Sequence, residues 1–167
     1  GTTPAQGASS LSTAKLAGIT LYEPGALTLV ARAGTRLSEI EAELKHQRQR
    51  LAFEPAAWRG LLATTGEPTI GGLVAANISG SRRVQAGAAR DATLGVRFVD
   101  GTGAIVKNGG RVMKDVTGYD LVKLMSGSWG TLGVLTEVAL KVLPVPETSA
   151  TLITGPHDVG AAVAAMT

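Results

Sequence analysis

The sequence predicts a mixed α+β fold. Its predicted strands and helices do not alternate regularly, which disfavours a doubly wound nucleotide-binding fold. A Gly-Thr-Gly turn at 101–103 between two β-rich runs predicts a hairpin. Residues 133–144 alternate between apolar and polar side chains, which indicates a long strand. Of the 167 residues, 44% are hydrophobic and only 17% are charged, so the chain can bury a core.

The first half of the chain is predicted to hold two strands and two helices. Residues 18–23 and 28–33 are short β-rich runs separated by a Pro-Gly turn. Residues 35–51 carry apolar side chains at helical spacing, with Thr35 as the expected N-cap and His46 among surface charges. After an irregular stretch, a second helix is expected over 70–78, capped by Thr69.

The second half is predicted to be mainly β. The hairpin pairs residues 93–100 with 104–108, and a short helix is expected over 118–125. In the strand at 133–144 we expect one face to carry Val134, Thr136, Val138, Leu140 and Val142.

The prolines after this strand predict a domain boundary. One domain is expected over residues 1–146, and residues 147–167 are expected to begin a second one. Within the second, residues 150–154 are predicted to form a strand and 157–167 to open a helix.

Composition excludes several classes of site and partner. The chain has no cysteine, which excludes disulfides, iron–sulfur ligation and a cysteine nucleophile, and its two histidines lie far apart, so no metal site is expected. The net charge of +3 is spread along the chain, which favours a solvated surface over an anionic partner. Aromatic residues make up only 4%, so no nucleic-acid partner is expected. No apolar run reaches the ~20 residues of a membrane span.

A glycine-rich stretch, "PTIGGLVAANISGS" at 68–81, carries the strongest functional signal. It matches neither the P-loop nor the G-x-G-x-x-G dinucleotide fingerprint. Unpaired backbone N–H groups at a helix start would suit a pyrophosphate. A helix that packs closely on a sheet needs the same small residues, and the residues alone leave these two interpretations equally open.

Two further segments of small residues follow. Residues 79–91 include Arg82, Arg83 and Arg90, and residues 126–135 place three glycines at three-residue spacing. Together, the three segments predict an extended ligand that lies along the backbone. Trp129, between two of these glycines, is interpreted as a packing residue in preference to a residue that stacks on a ring.

The chain resembles a known family over residues 18–146. The segment 68–110 is similar to FAD-binding domains of the vanillyl-alcohol oxidase type, which carry P-T-[IVL]-G-G, N-x-x-G and R-x-G-x-x-R-D in this order. The segment 112–146, "VMKDVTGYDLVKLMSGSWGTLGVLTEVALKVLPVP", resembles the FAD-binding subunits of bacterial glycolate oxidases.

This resemblance implies two α+β subdomains that hold FAD between them, with the N-terminal part and the C-terminal cap domain truncated in this chain. Gly1, Thr2 and Thr3 look like the end of the family's first phosphate loop. The cofactor-binding residues that it implies are Pro68, Thr69, Gly71 and Gly72 for the pyrophosphate and ribityl chain, Asn77, Gly80, Ser81, Gly87 and Arg90 on the flavin side, and Gly133 and Val134 for the adenine half.

The implied activity is oxidation of a short 2-hydroxy acid, glycolate, to its 2-oxo acid. Electrons would pass to partner subunits, namely a second flavin subunit and an iron–sulfur subunit. The FAD would be non-covalent and the protein cytoplasmic, with any attachment to the inner membrane through those partners. Two alternatives stay open: a non-catalytic subunit for assembly or electron relay, and a related flavin dehydrogenase that acts on D-lactate.

No catalytic residue is assigned. Lys114 and Asp120 are interpreted as surface charges and Tyr119 as a residue that packs its helix. A valine at Gly71 or Gly72 is predicted to abolish FAD binding while the fold is retained.

Overall fold

The computed structural model describes residues 7–56, 59–110, 118–151, 153 and 158–166. Its strands are β1 (Ile19–Glu23), β2 (Thr28–Arg32), β3 (Gln49–Leu51), β4 (Thr93–Val99), β5 (Ile105–Gly109) and β6 (Val134–Pro144). Its α-helices are α1 (Leu37–His46), α2 (Arg59–Leu62), α3 (Ile70–Ala76), α4 (Arg83–Ala86), α5 (Ala89–Ala92), α6 (Leu121–Met125) and α7 (Val159–Met166). The predicted α+β class is confirmed.

The strands form one antiparallel sheet in the order β1-β2-β6-β4-β5, and β3 pairs with the far end of β6. Helices α1, α3, α5 and α6 pack on the sheet. The core between them is fully buried at Leu29, Ile40, Ile70, Val138 and Leu140. This core holds α3, the helix of the glycine-rich stretch, against the centre of the sheet.

The long strand β6 was predicted with a single alternation of faces, and this prediction is wrong at its start. Arg97 pairs with Glu137 but Phe98 pairs with Leu135, so Thr136 is an extra residue in β6. The Thr136 hydroxyl donates to the Arg97 carbonyl at 3.0 Å. Such a β-bulge reverses the side-chain alternation. Leu135 is therefore buried, in place of Val134 and Thr136, which were expected on the same face as Val138.

Helix α1 is shorter than predicted. It ends at His46, which is exposed as expected, and Arg48 takes a left-handed conformation at φ 53°. Residues 49–51 then form β3 because they pair with the end of β6. Long-range pairing thus overrides the helical spacing that included Leu51.

Thr35 is not the N-cap of α1, since that position is Arg36. The Thr35 side chain is instead fully buried. Its hydroxyl accepts the Gly18 N–H at 2.9 Å and lies 2.7 Å from the Arg32 carbonyl. Thr35 therefore ties the start of β1 to the turn after β2.

We expect Thr35→Val to destabilise the protein by about 2 kcal/mol, because the substitution keeps the shape but removes the acceptor of the Gly18 N–H. Urea denaturation of the purified protein measures this loss. Thr64→Val is the control, since Thr64 is exposed. Equal midpoints for the two variants would contradict the assigned role of the Thr35 hydroxyl.

Other predicted elements differ from the structure. The irregular stretch at 51–68 contains the short helix α2, and the segment 79–91 contains α4 and the start of α5. Ala150, Thr151 and Ile153 of the predicted strand at 150–154 lie in no strand, and the other two residues are outside the described ones.

The helix predicted at 157–167 is present as α7. Over the residues described, no helix is long and apolar enough to cross a membrane.

Candidate functional site

The first turn of α3 is hydrogen-bonded to the segment that follows β2. The Ile70 N–H donates to the Thr35 carbonyl at 2.9 Å, and the Gly71 N–H donates to the Ala33 carbonyl at 2.8 Å. These bonds fix the helix start at the sheet.

The third amide of the turn also has a partner. Thr69 caps α3 as predicted, and its hydroxyl accepts the Gly72 N–H at 3.4 Å. The expectation of unpaired N–H groups at this helix start is therefore wrong, because the backbone after β2 and the cap use them.

The two adjacent glycines have different environments. Gly71 is buried, and a Cβ there would lie 2.5 Å from the Cβ and 2.7 Å from the carbonyl oxygen of Ala33. Gly72 is exposed, and among the described residues its Cβ would meet only the Thr69 hydroxyl, at 3.3 Å. Gly71 thus permits close packing of helix on strand, whereas Gly72 borders open space.

That open space is a groove of about 420 Å³ along the outer side of α3, which we call the α3 groove. It is lined by Pro68, Thr69, Gly72, Leu73, Ala75, Ala76, Ile78 and Trp129. Trp129 is 66% exposed, so its interpretation as a packing residue is wrong. The structure therefore brings three predicted cofactor-binding residues together with an exposed indole.

The glycine-rich loop at 127–130 is attached to the end of α3. The Gly127 N–H donates to the Val74 carbonyl at 3.1 Å, and the Trp129 N–H donates to the Ala75 carbonyl at 2.8 Å. The Ser128 hydroxyl is buried and has no hydrogen-bond partner among the described residues.

Asn77 ends α3 in a left-handed conformation at φ 50°. Its side-chain oxygen accepts the Arg90 N–H at 3.0 Å, and the Ser79 hydroxyl accepts the Ala89 N–H at 3.0 Å. These two side chains fix α5 relative to α3. The side chains of Ser81 and Arg90, both predicted to bind the cofactor, are exposed.

Glu54 is a residue that sequence reasoning missed. Its carbonyl accepts the Gly80 N–H at 2.8 Å, and its carboxylate accepts the Arg82 N–H at 2.7 Å. A Cβ at Gly80 would lie 2.8 Å from that carboxylate. Gly80 therefore serves packing on Glu54, and no local pattern in the sequence signals this long-range contact.

The remaining predicted glycines also have structural contacts. Gly87 adopts φ +81° in the turn before α5, a conformation that favours glycine. A Cβ at Gly133 would lie 2.7 Å from the Val99 carbonyl oxygen, and Val134 pairs with Val99 in the sheet. Contact of these residues with a cofactor stays a prediction.

A second cavity of about 470 Å³ adjoins the α3 groove and shares Pro68, Leu73 and Ile78 with it. Its rim carries Glu41 and an exposed ion pair between Arg59 and Glu67 at 2.5 Å. Burial raises the pKa of the Glu41 carboxyl, and the Glu67 carboxylate raises it further.

A third cavity, of about 370 Å³, lies on the opposite face of the sheet. It is lined by Arg97 and Glu137, whose side chains approach to 3.9 Å, and by Lys107. None of the predicted cofactor-binding residues lines it.

The residues of the segment at 114–121 have mixed outcomes. Tyr119 is 90% exposed, so the expectation that it packs its helix is wrong. Asp120 is the N-cap of α6, where its carboxylate accepts the Lys123 N–H at 2.9 Å. Lys114 and the expected loop remnant Gly1, Thr2 and Thr3 lie outside the described residues.

Comparison with protein families places residues 1–109 in a family described as FAD binding domain. Among relatives, the glycolate oxidase subunit GlcE of Escherichia coli (strain K12) is 47% identical over 135 residues, which are 81% of this chain and 37% of that protein. The subunit GlcD of Bacillus subtilis (strain 168) is 44% identical over 94 residues, 56% of this chain and 20% of that protein. A D-lactate dehydrogenase of Anaerostipes hadrus is 36% identical over 145 residues, 86% of this chain and 28% of that protein.

Among solved structures, an alkyldihydroxyacetonephosphate synthase matches with a TM-score of 0.61 at 25% sequence identity. The match covers 80% of this chain and 22% of that protein. Together with the family match, it confirms the predicted FAD-binding fold of the vanillyl-alcohol oxidase type. The chain spans less than two fifths of the length of each of these relatives.

The described residues fit FAD in part. Gly72 leaves open space beside α3, where any side chain would project into the groove, and an exposed indole lines the same groove. Among the described residues that line the groove, none has a charged side chain that could bind a phosphate. It thus suits the uncharged parts of the cofactor.

Proposed function

We propose a function for this chain from the premise that it belongs to the FAD-binding domain family, as the match over residues 1–109 establishes. The chain is the FAD-binding part of a flavin-dependent oxidoreductase. Its substrate is a short 2-hydroxy acid, glycolate, which is oxidised to the 2-oxo acid. The observation that carries this proposal is the 47% identity to a glycolate oxidase subunit over 81% of the chain.

The chemistry is a two-electron oxidation. The substrate carbon that carries the hydroxyl loses a hydride equivalent and the hydroxyl loses its proton, so glycolate becomes glyoxylate. When bound, FAD supplies the acceptor for the two electrons, and the protein supplies binding and orientation. The described residues contribute one rigid wall of the α3 groove. Helix α3 is hydrogen-bonded at its start to the segment that follows β2 and at its end to the loop at 127–130.

Partner subunits are the proposed electron acceptors. The names of two relatives describe them as subunits of glycolate oxidase, which supports a multi-subunit complex. We propose that its other members are a second flavin subunit and an iron–sulfur subunit. Any membrane attachment would then come through these partners.

Two other functions have specific support. Similarity to two differently named subunits of one kind of oxidase favours a subunit that binds FAD for assembly or electron relay without oxidising substrate. The D-lactate dehydrogenase relative favours D-lactate as the substrate. Each of these gives a different result in the same experiment.

The experiment is the visible absorption spectrum of the full-length protein under anaerobic conditions, before and after glycolate. We expect the two absorption bands of an oxidised flavin, and bleaching of those bands by glycolate. Bleaching by D-lactate alone would move the assignment to a D-lactate dehydrogenase. A flavin spectrum that neither acid bleaches would support the relay function, and a protein without flavin after incubation with FAD would contradict the proposal.

A further inference from the structure

We infer that the α3 groove holds a planar ring system of FAD, stacked on the indole of Trp129, and does not hold the pyrophosphate. The inference rests on the proposed function, because it assumes that FAD is bound. It assigns a ligand-contacting role to Trp129, which neither the family match nor the relatives assign.

The polarity of the groove argues against a phosphate. None of the lining residues that the structure describes is ionisable, and the N–H groups of Ile70, Gly71 and Gly72 already have acceptors within the protein. A pyrophosphate in a protein is normally held by free N–H groups or by cationic side chains. Since the groove offers neither, the doubly charged part of the cofactor belongs elsewhere.

The shape and apolar lining of the groove suit a ring. Its volume of about 420 Å³ lies in the range of small-molecule sites. Gly72 places no side chain in it, and the neighbouring wall is formed by the small side chains of Ala75 and Ala76. A flat heterocycle can therefore approach the helix backbone closely.

Trp129 supplies the aromatic partner. The residue is 66% exposed, while its backbone N–H donates to the Ala75 carbonyl at 2.8 Å. The backbone of Trp129 is thus fixed to the groove wall, while its side chain exposes a large apolar area to solvent. Stacking of a heteroaromatic ring on such a side chain is a common mode of nucleotide binding.

The test measures the FAD dissociation constant of the full-length apo protein by equilibrium dialysis for Trp129→Ala and Trp129→Phe. We expect Trp129→Ala to bind FAD about tenfold more weakly or worse, the usual scale for a lost base–aromatic stack. Trp129→Phe should retain most of the affinity, because it keeps an aromatic face. The control is Leu124→Ala on α6, which also removes an exposed apolar side chain and should leave the affinity unchanged.

Fragments identify the ring. We expect one of two fragments, riboflavin or ADP, to compete with FAD in wild type and to lose this effect in Trp129→Ala. Competition by riboflavin assigns the groove to the flavin, and competition by ADP assigns it to the adenine. Competition by inorganic pyrophosphate that is lost in Trp129→Ala would contradict the inference, because the phosphates would then occupy the groove.

Three outcomes separate the inference from the proposed function. If wild type binds FAD and Trp129→Ala binds it equally well, the inference is wrong and the FAD-binding function stands. Loss of partner subunits from the purified Trp129→Ala complex, at unchanged FAD affinity, would likewise assign the indole to a protein interface. If wild type does not bind FAD at all, the proposed function fails first.

Discussion

Gly72→Val is expected to weaken FAD binding strongly while the protein keeps its fold. The Cα of Gly72 borders the α3 groove, and a branched side chain there would fill the space beside α3. The fold should tolerate it, because among the described residues the Cβ meets only the Thr69 hydroxyl, at 3.3 Å, and valine is no worse than glycine inside a helix. We expect the FAD dissociation constant to rise at least about tenfold, which is about 1.4 kcal/mol of binding free energy.

The measurement is flavin content after purification, together with the dissociation constant by equilibrium dialysis and the Tm of the apo protein. Gly25→Val is the matched control, since Gly25 is an exposed glycine at the turn between β1 and β2. No atom of the residues that the structure describes lies within 4 Å of a Cβ added there. The control should bind FAD normally. Normal flavin content in Gly72→Val would show that the cofactor does not approach α3 from this side.

Gly71→Val is expected to act on the fold: it should cause a large loss of stability, which Gly72→Val should not. Its Cβ would lie 2.5 Å from the Ala33 Cβ and 2.7 Å from the Ala33 carbonyl oxygen, which accepts the Gly71 N–H. To relieve this steric clash, α3 must move away from Ala33 and break the hydrogen bond between the Gly71 N–H and the Ala33 carbonyl. Overpacking of this kind costs about 3 kcal/mol, and we expect the Tm to fall by about 10 °C.

Thermal unfolding of apo Gly71→Val beside apo Gly72→Val isolates this effect, since the two sites are adjacent and receive the same side chain. Two variants of equal Tm would contradict the separation of a packing glycine from a groove glycine. The sequence-based expectation that either valine spares the fold is revised for Gly71 by this contact.

The sequence predicted the sheet well where local patterns decide it. The hairpin around Gly-Thr-Gly is present because Asp100 accepts the N–H groups of Thr102 and Ala104 at 2.8 and 3.0 Å, a turn that its sequence signals directly. The Thr69 cap was likewise predicted, since a threonine before a helix is a local signal.

Long-range contacts decided what the sequence did not predict. The bulge at Thr136 depends on pairing between β4 and β6, and β3 exists because residues 49–51 meet the end of β6. No periodicity within a single segment contains this information.

For the site, the sequence could locate the glycine-rich helix but could not assign its glycines. Packing and cofactor approach both need small residues, and only the position of Ala33 separates Gly71 from Gly72. The exposure of Trp129 was missed for the same reason, because it depends on how the loop at 127–130 attaches to the end of α3.

The most direct test of the proposed binding mode is a crystal structure of the full-length protein with FAD bound. We predict FAD on the outer side of α3, in van der Waals contact with the Gly72 Cα, and a ring of the cofactor against the indole of Trp129. FAD bound instead on the opposite face of the sheet, in the cavity beside Arg97 and Glu137, would contradict it.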